Sequence, residues 1–356
     1  MIEKLKKNIE SFGLPRIIIV SFFIVLLITA GVYGLNIPAL FSDAIRRWGM
    51  SGLLVLAMVP AVQCGIGLNF GITLGIVSGL LGGLIVIELD IAKKVPMGPW
   101  VAIFLAMIIG VIISSMLGYF YGLILNKVKG SEMTVSTYVG FSVIAFMNIM
   151  WLALPFKSGT LIWPLSGDGL RNTISLESSF IEVFNKTLDF SIGGVYIPTG
   201  LLLFFFLSCF IVWLFLRSKS GMALAAAGSN PTFAKASGIN VNKMRVLGTV
   251  VSTALGAVGI IVYSQSYGFI QLYNAPLWMG FHSVAAVLIG GASISKAKIS
   301  HVILGTFLFQ GILSVALPVA NEILPEGNLS DVMRIIISNG IILYALTKTG
   351  GGNSRE

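Results

Sequence analysis

The chain predicts an all-α, polytopic membrane protein, and three observations carry that expectation: 56% of its 356 residues are hydrophobic, only 10% are charged, and its mean hydropathy is +0.94. No water-soluble fold has an interior large enough for so much apolar surface. Crossing about 30 Å of hydrocarbon takes roughly 20 apolar residues in a helix, and runs of about that length recur along the sequence.

Ten spans follow in order. Lysines precede the first, Ile17–Leu35, giving it the outline of a secretory signal ending at Thr29-Ala30-Gly31. The run continues through Val32, Tyr33 and Leu35, which favours a retained helix. Ser51–Asn69 and Phe70–Ile91 share one unbroken apolar run, whereas Pro99–Leu123 and Met133–Leu154 are set apart by Lys127, Lys129 and Glu132. Ile197–Leu216 stops at Arg217, and Val246–Gln265 starts after Arg245. Gly280–Ile294 is short, Ser300–Ala320 sits between Lys298 and Glu322, and Val332–Leu346 completes the set. A single transmembrane domain, 1–356, thus divides into halves of about 1–154 and 197–349 around an outer loop, 155–196.

Cytoplasmic loops collect Lys and Arg, so charge placement checks the count independently. With the N-terminus inside, inner segments hold fifteen basic and four acidic residues, and outer segments seven basic and ten acidic. A span miscounted by one would invert every later loop and spoil this asymmetry. Both termini are therefore expected to be cytoplasmic, and the formal charge of +9 follows from topology rather than from nucleic-acid binding.

In the outer loop, Ser175-Leu-Glu-Ser-Ser-Phe-Ile-Glu-Val-Phe alternates polar and apolar residues at helical spacing, as an interfacial or re-entrant helix does. It reads either as a lid on the bundle or as a landing site for an extracytoplasmic partner.

Among 41 glycines, Gly67, Gly71, Gly75 and Gly79 recur four apart and so share a helical face. Small residues let helices approach closely in lipid, and the ridge reads first as packing. Asn69, Phe70 and Thr73 lie mid-run beside it, and broken helices with polar groups near the midplane are a recurring design of transport sites. The stretch from Gly280 has a similar outline, a polar pair (His282, Ser283) followed by small and branched residues and Gly290-Gly291, as Gly82-Gly83 closes the first. That likeness hints at two related halves. An ionisable His282 inside a span faces a cavity or a partner, or else is a hydrogen-bonded packing histidine. Asn148, Trp151 and Gln265, with Gln63, Tyr138, Tyr267 and Gln271, are further pathway candidates, unless each satisfies a neighbouring backbone group or anchors at the interface.

Catalysis by the chain itself is not expected. It carries no Gly-x-x-x-x-Gly-Lys-Ser/Thr phosphate loop, no paired intramembrane carboxylates, and no histidines besides His282 and His301. Cys64 and Cys209 both fall in apolar spans, where a thiol behaves as a small hydrophobe, and no metal or disulfide site is implied.

Arg217 to Arg245 is a basic, small-residue-rich stretch between two apolar runs. It is far longer than a chain needs to turn around, which points to an inner partner. Its string Gly228-Ser-Asn-Pro-Thr-Phe-Ala-Lys-Ala-Ser-Gly-Ile-Asn-Val-Asn-Lys, followed by Val246-Leu-Gly-Thr-Val-Val-Ser, resembles the large cytoplasmic loop of ribose-type ABC importer permeases. Ser283-Val-Ala-Ala-Val-Leu-Ile-Gly-Gly-Ala-Ser-Ile, running into Gly305 and Gly311, is similar to the same family's following helices. The likeness covers about Arg217 to Ala320, and the N-terminal half follows by segment order.

The resemblance implies a multi-pass subunit of a bacterial inner membrane that pairs with a second permease, the same or a paralogue. It implies two ATPase subunits, which hold ATP and Mg, and an extracytoplasmic solute-binding protein that delivers a sugar or nucleoside. Gly228, Asn230, Ala234, Lys235, Ser237, Gly238, Ile239 and Asn240 would form the coupling helix in the ATPase groove, small residues permitting close approach. Nucleotide-driven closure would then tilt the helices and alternate the access of a central cavity. An ion-coupled secondary transporter or channel is the alternative; scarce intramembrane carboxylates and the large inner loop stand against it. Two departures imply a subfamily with a different ligand. Gly67-Leu-Asn-Phe-Gly-Ile-Thr replaces a Gly-Gly-Ile-Asp-Leu-Ser-like turn, and His282 stands where an acidic residue often precedes the Ala-Ala-Val run.

Overall fold

The computed structural model describes residues 14–163 and 169–323, with positions 336, 339 and 340. The expected span Val332–Leu346 lies otherwise outside the described residues. Among those residues, seven helices are long and apolar enough to cross a membrane and two shorter apolar helices accompany them, so the protein is a polytopic, mostly helical membrane protein.

Helix α1 (Leu14–Val32) exposes Ile18, Phe22, Val25, Ile28 and Val32 and buries Ile19, Phe23, Leu26 and Ala30. Those are the two stripes that a 3.6-residue period produces. Next, α2 (Ile37–Leu56) and α3 (Met58–Gln63) make one span, which starts at Ile37 rather than at Ser51. Asn36 caps it by accepting from the Ala39 N–H, and Pro38 fits its first turn. Asp43 pairs with Arg46 at 2.9 Å and with Arg47 at 2.6 Å, so two arginines that hydropathy assigns to a loop ride inside the helix. The chain then turns through Cys64–Asn69, with Gly65 and Gly67 at φ of +80° and +85°. A 3-10 turn, Phe70–Ile72, leads into α4 (Thr73–Glu88). The apolar run that looks continuous is broken at its middle.

After the short α5 (Ile91–Lys94) come α6 (Gly98–Lys127) and α7 (Glu132–Ala153). The loop that follows α7 contains β1 (Thr173–Ser175), β2 (Phe190–Ile192) and β3 (Val195–Ile197). Between β1 and β2 the expected interfacial helix is replaced by hydrogen-bonded turns over residues 177–188. The cause is competition for donors. The backbone N–H groups of Glu182 and Phe184 go to the carbonyl (2.8 Å) and side-chain oxygen (3.2 Å) of Gln265 instead of to carbonyls one turn back, and Glu182 sits at φ +51°. Phe180, Phe184 and Asn185 are thereby buried.

The second half comprises α8 (Thr199–Arg217), α9 (Lys219–Ser229), α10 (Pro231–Ala236), α11 (Val241–Tyr267), β4 (Phe269–Gln271), α12 (Asn274–Ile289) and α13 (Ile299–Ile323). Strand β4 pairs antiparallel with β1. Helix α11, about 40 Å long at 1.5 Å per residue, begins at Val241 because Asn240 accepts from the Lys243 N–H at 3.0 Å. Arg245, placed by hydropathy in a watery loop, is therefore buried, where it pairs with Glu132 at 2.5 Å. Likewise α12 starts at Asn274, ahead of Gly280.

Helix α11 is the centre of the molecule, packed against α2, α4 and α6. Gly75 and Gly79 make this possible: a side chain on either would collide with the backbone carbonyl of Thr253 or Ala257. Two of the four ridge glycines thus serve packing, as the spacing predicts.

Candidate functional site

The break in the helix lies beside α12, running antiparallel to it. Gln63 Nε2 donates to the Ala297 carbonyl at 2.9 Å, Gly67 faces Ile294, the rings of Phe70 and Phe281 are 5.3 Å apart, and Gly280 faces Ile72 and Thr73. As residue numbers rise on one side they fall on the other. Helix α7 closes a third side, where Gly140 approaches the Phe70 carbonyl.

These three elements form a narrow cleft, its free volume only about 10 Å³, lined by Phe70, Thr73, Thr137, Gly140, Phe141, Ile144, Pro276, Leu277, Gly280 and Phe281. The rings of Phe70 and Phe141 both lean on Phe281. The hydroxyls of Thr73 and Thr137 donate to the carbonyls of Phe70 (3.1 Å) and Met133 (2.9 Å). Each hydroxyl oxygen keeps lone pairs to accept from a ligand. No charged side chain lines the cleft, so a ligand held there would be gripped by aromatic faces and neutral acceptors.

Of the residues expected on the pathway, Phe70 and Thr73 line the cleft. Asn69 lies immediately behind it, fully buried; its Oδ1 accepts from the Tyr121 hydroxyl at 2.9 Å and its Nδ2 donates to Ser252 Oγ at 3.0 Å. This node ties the break to α6 and α11, and Asn69 does not line the cleft. Ser283 is buried and donates to the Met279 carbonyl at 2.7 Å, while the His282 ring lies against Phe309 of α13, 5.5 Å between centroids. Gln265 and Trp151 sit elsewhere. Gln265 receives the outer turns and donates to Asn185 Oδ1 at 3.1 Å, and the Trp151 carbonyl accepts from the Leu170 N–H at 3.0 Å. Asn148 is half-buried on α7 and does not line the cleft. Gln63 and Gln271 hold other protein groups, the latter donating to the Tyr267 hydroxyl at 3.4 Å, and Tyr138 is exposed. Sequence reasoning missed Thr137, Phe141 and Phe281. Phe281 was adjacent to the selected His282, but its aromatic ring gave no polar signal.

The segment between α8 and α11 reaches the same break. A side chain on Gly228 would collide with the Gln63 carbonyl, and Gly228 also lies against Gly65. Asn230 caps α10 by accepting from the Phe233 N–H at 2.9 Å, with Pro231 in its first turn. Gly238, at φ +79°, ends the helix, the Ile239 N–H donates to the Ala234 carbonyl at 2.9 Å, and Asn240 caps α11. Ala234, expected to face a partner, instead packs inward with Ala227 and Val241. What α10 presents outward is Phe233, 65% exposed, with Lys235 and Ser237 also exposed.

Comparison with known proteins gives a consistent answer. The chain is 24% identical to the nucleoside ABC transporter permease protein NupB of Lactococcus lactis over 53% of this chain and 50% of that one. It is 26% identical to the galactofuranose transporter permease protein YtfT of Escherichia coli, over 54% and 56% respectively. Against a tyrosine transport system permease protein of Clostridioides difficile it is 27% identical, over 57% and 67%. The chain spans about half the length of the first relatives it matches. No solved structure matches it significantly. A family profile described as branched-chain amino acid transport system, permease component, matches residues 43–344. With most of its length inside that match, the chain belongs to this family of ABC importer permeases.

Proposed function

We propose that this chain forms half of the translocation path of a binding-protein-dependent ABC importer for a small, uncharged, polar solute, a nucleoside or a sugar. The observation that carries this reading is the lining of the narrow Phe70–Phe141–Phe281 cleft, two threonine hydroxyls and no charged residue, whose walls would part to admit cargo. Aromatic faces suit a planar or polyhydroxylated ring, and threonine oxygens accept from its donors. A zwitterionic amino acid would leave its charges unmatched in a low-dielectric site.

Cargo would pass between this cleft and a second permease, delivered at the outer face by a solute-binding protein. Energy would come from two ATPase subunits against α10, with Phe233 entering their groove and Lys235 at its rim. ATP and Mg belong to those subunits. Because Gly228 abuts Gln63 and Gly65, movement of the inner loop reaches the broken helix directly, and that contact would alternate the cleft's access. Ten spans with both termini inside, in a bacterial inner membrane, complete the arrangement.

Proteoliposomes holding the chain with its ATPase and binding-protein partners test it. ATP-dependent uptake of a nucleoside or sugar is expected. Uptake by the chain alone, driven by an ion gradient, would replace the importer with a secondary carrier, and ATP-dependent uptake of an amino acid would overturn the cargo class.

A further inference from the structure

We propose that the β2–β3 hairpin of the outer loop lies in the lipid–water interface, one face against the acyl chains of the outer leaflet. Its register pairs Phe190 with Ile197, Ser191 with Tyr196 and Ile192 with Val195. Paired residues of antiparallel strands project to one side, and successive residues to opposite sides. Phe190, Ile192, Val195 and Ile197 therefore make one wholly apolar face, and Ser191 and Tyr196 make the other. The Gly193-Gly194 turn, at φ of +57° and +82°, is the two-residue connection with both angles positive that matches strand twist, so the hairpin is a defined element rather than a slack loop.

The two faces meet different surroundings. Tyr196 lines an outer groove with Asp43, Arg46, Glu182, Lys186 and Asp189, and its hydroxyl donates to the Asn185 carbonyl at 2.9 Å. Burial and the carboxylate of Asp189 push that phenol above its ordinary pKa, so it remains a neutral donor. On the apolar face Phe190 is 45% and Ile192 65% exposed, while Val195 and Ile197, on the strand that packs on α2, are half-buried.

What covers that face is indicated by its neighbours. Two residues beyond Ile197 the chain enters α8, a candidate span whose exposed Leu203, Phe206, Leu207 and Phe210 offer an apolar surface suited to lipid. The turn leans on Pro38 through Gly194, just past the end of α1, where Val32 and Tyr33 are exposed as well. The hairpin thus joins the outer ends of two lipid-facing helices, with its apolar side continuing theirs and its polar side bordering a charged groove. Amphipathic elements and aromatic side chains settle at that level of a bilayer. The binding protein is left the groove side.

Nitroxide labels on Ile192→Cys, Phe190→Cys and Ser191→Cys test the proposal in the full-length chain, reconstituted in phosphatidylethanolamine–phosphatidylglycerol vesicles. Cys64 and Cys209 are buried, and the unsubstituted protein serves as the labelling blank. Labels at 190 and 192 should collide more with dissolved oxygen than with a water-soluble nickel chelate, and the ratio should reverse at 191. Equal nickel access at all three positions would overturn the proposal. So would nickel access at 190 and 192 that disappears only when the binding protein is added, since the face would then be a protein-docking surface. Neither readout depends on transport, so the result stands apart from the cargo and the ATPase.

Discussion

The two sides of the stretch from Asn69 to Gly79 behave in opposite ways. On one side Gly75 and Gly79 bring α4 against the α11 backbone so closely that no side chain fits, and Asn69 is held by Tyr121 and Ser252. On the other side Phe70 and Thr73 open onto a cleft with neutral walls. One side therefore anchors the break while the other is free to meet a ligand. Polarity near the midplane does not by itself mark a pathway: the most polar residue of the stretch, Asn69, belongs to the anchored side. In a membrane interior a carboxamide is retained when its donors and acceptors are filled.

Variants should separate the two sides by the size of their effect on folding. Gly75→Val drives a side chain into the Thr253 carbonyl and is expected to abolish folded, monodisperse protein in detergent; a well-behaved size-exclusion peak would break the comparison. Glu132→Ala leaves the buried Arg245 guanidinium unpaired, for which about 3–5 kcal/mol of destabilisation is expected, read as a large fall in thermal unfolding temperature. On the open side, Phe281→Ala would take a ring face from the cargo, a contact worth about 0.5–1.5 kcal/mol. Uptake should show a KM raised roughly three- to tenfold, with an unfolding temperature close to that of the unsubstituted protein. An equal loss of stability would mean that the cleft is merely packing. Smallest for the fold is Phe233→Glu on α10, within about 0.5 kcal/mol as for an exposed site. Its expected signature is loss of ATPase co-purification, and retained assembly would remove Phe233 from the coupling contact.

Legibility followed the same division. Stripes of apolar residues and the glycine spacing were visible because each is a local, periodic property, and the Gly228–Lys243 string pointed to the importer permeases on its own. Arg46, Arg47 and Arg245 were assigned to loops, because hydropathy cannot see a partner such as Asp43 three or four residues away or Glu132 across the fold. The turns at 177–188 alternate like a helix, yet the distant Gln265 takes their donors. Thr137, Phe141 and Phe281 come from two helices far apart in sequence, and nothing local joins them.

Composition and periodicity by themselves determined a helical membrane protein with glycine-mediated contacts, since burying apolar surface and saturating the backbone are demands each segment meets alone. Only the tertiary structure decided which face of the break is anchored and which neutral side chains converge beside it. Those outcomes depend on contacts between segments more than two hundred residues apart, such as Phe70 with Phe281, whose energies exist only once the helices have packed.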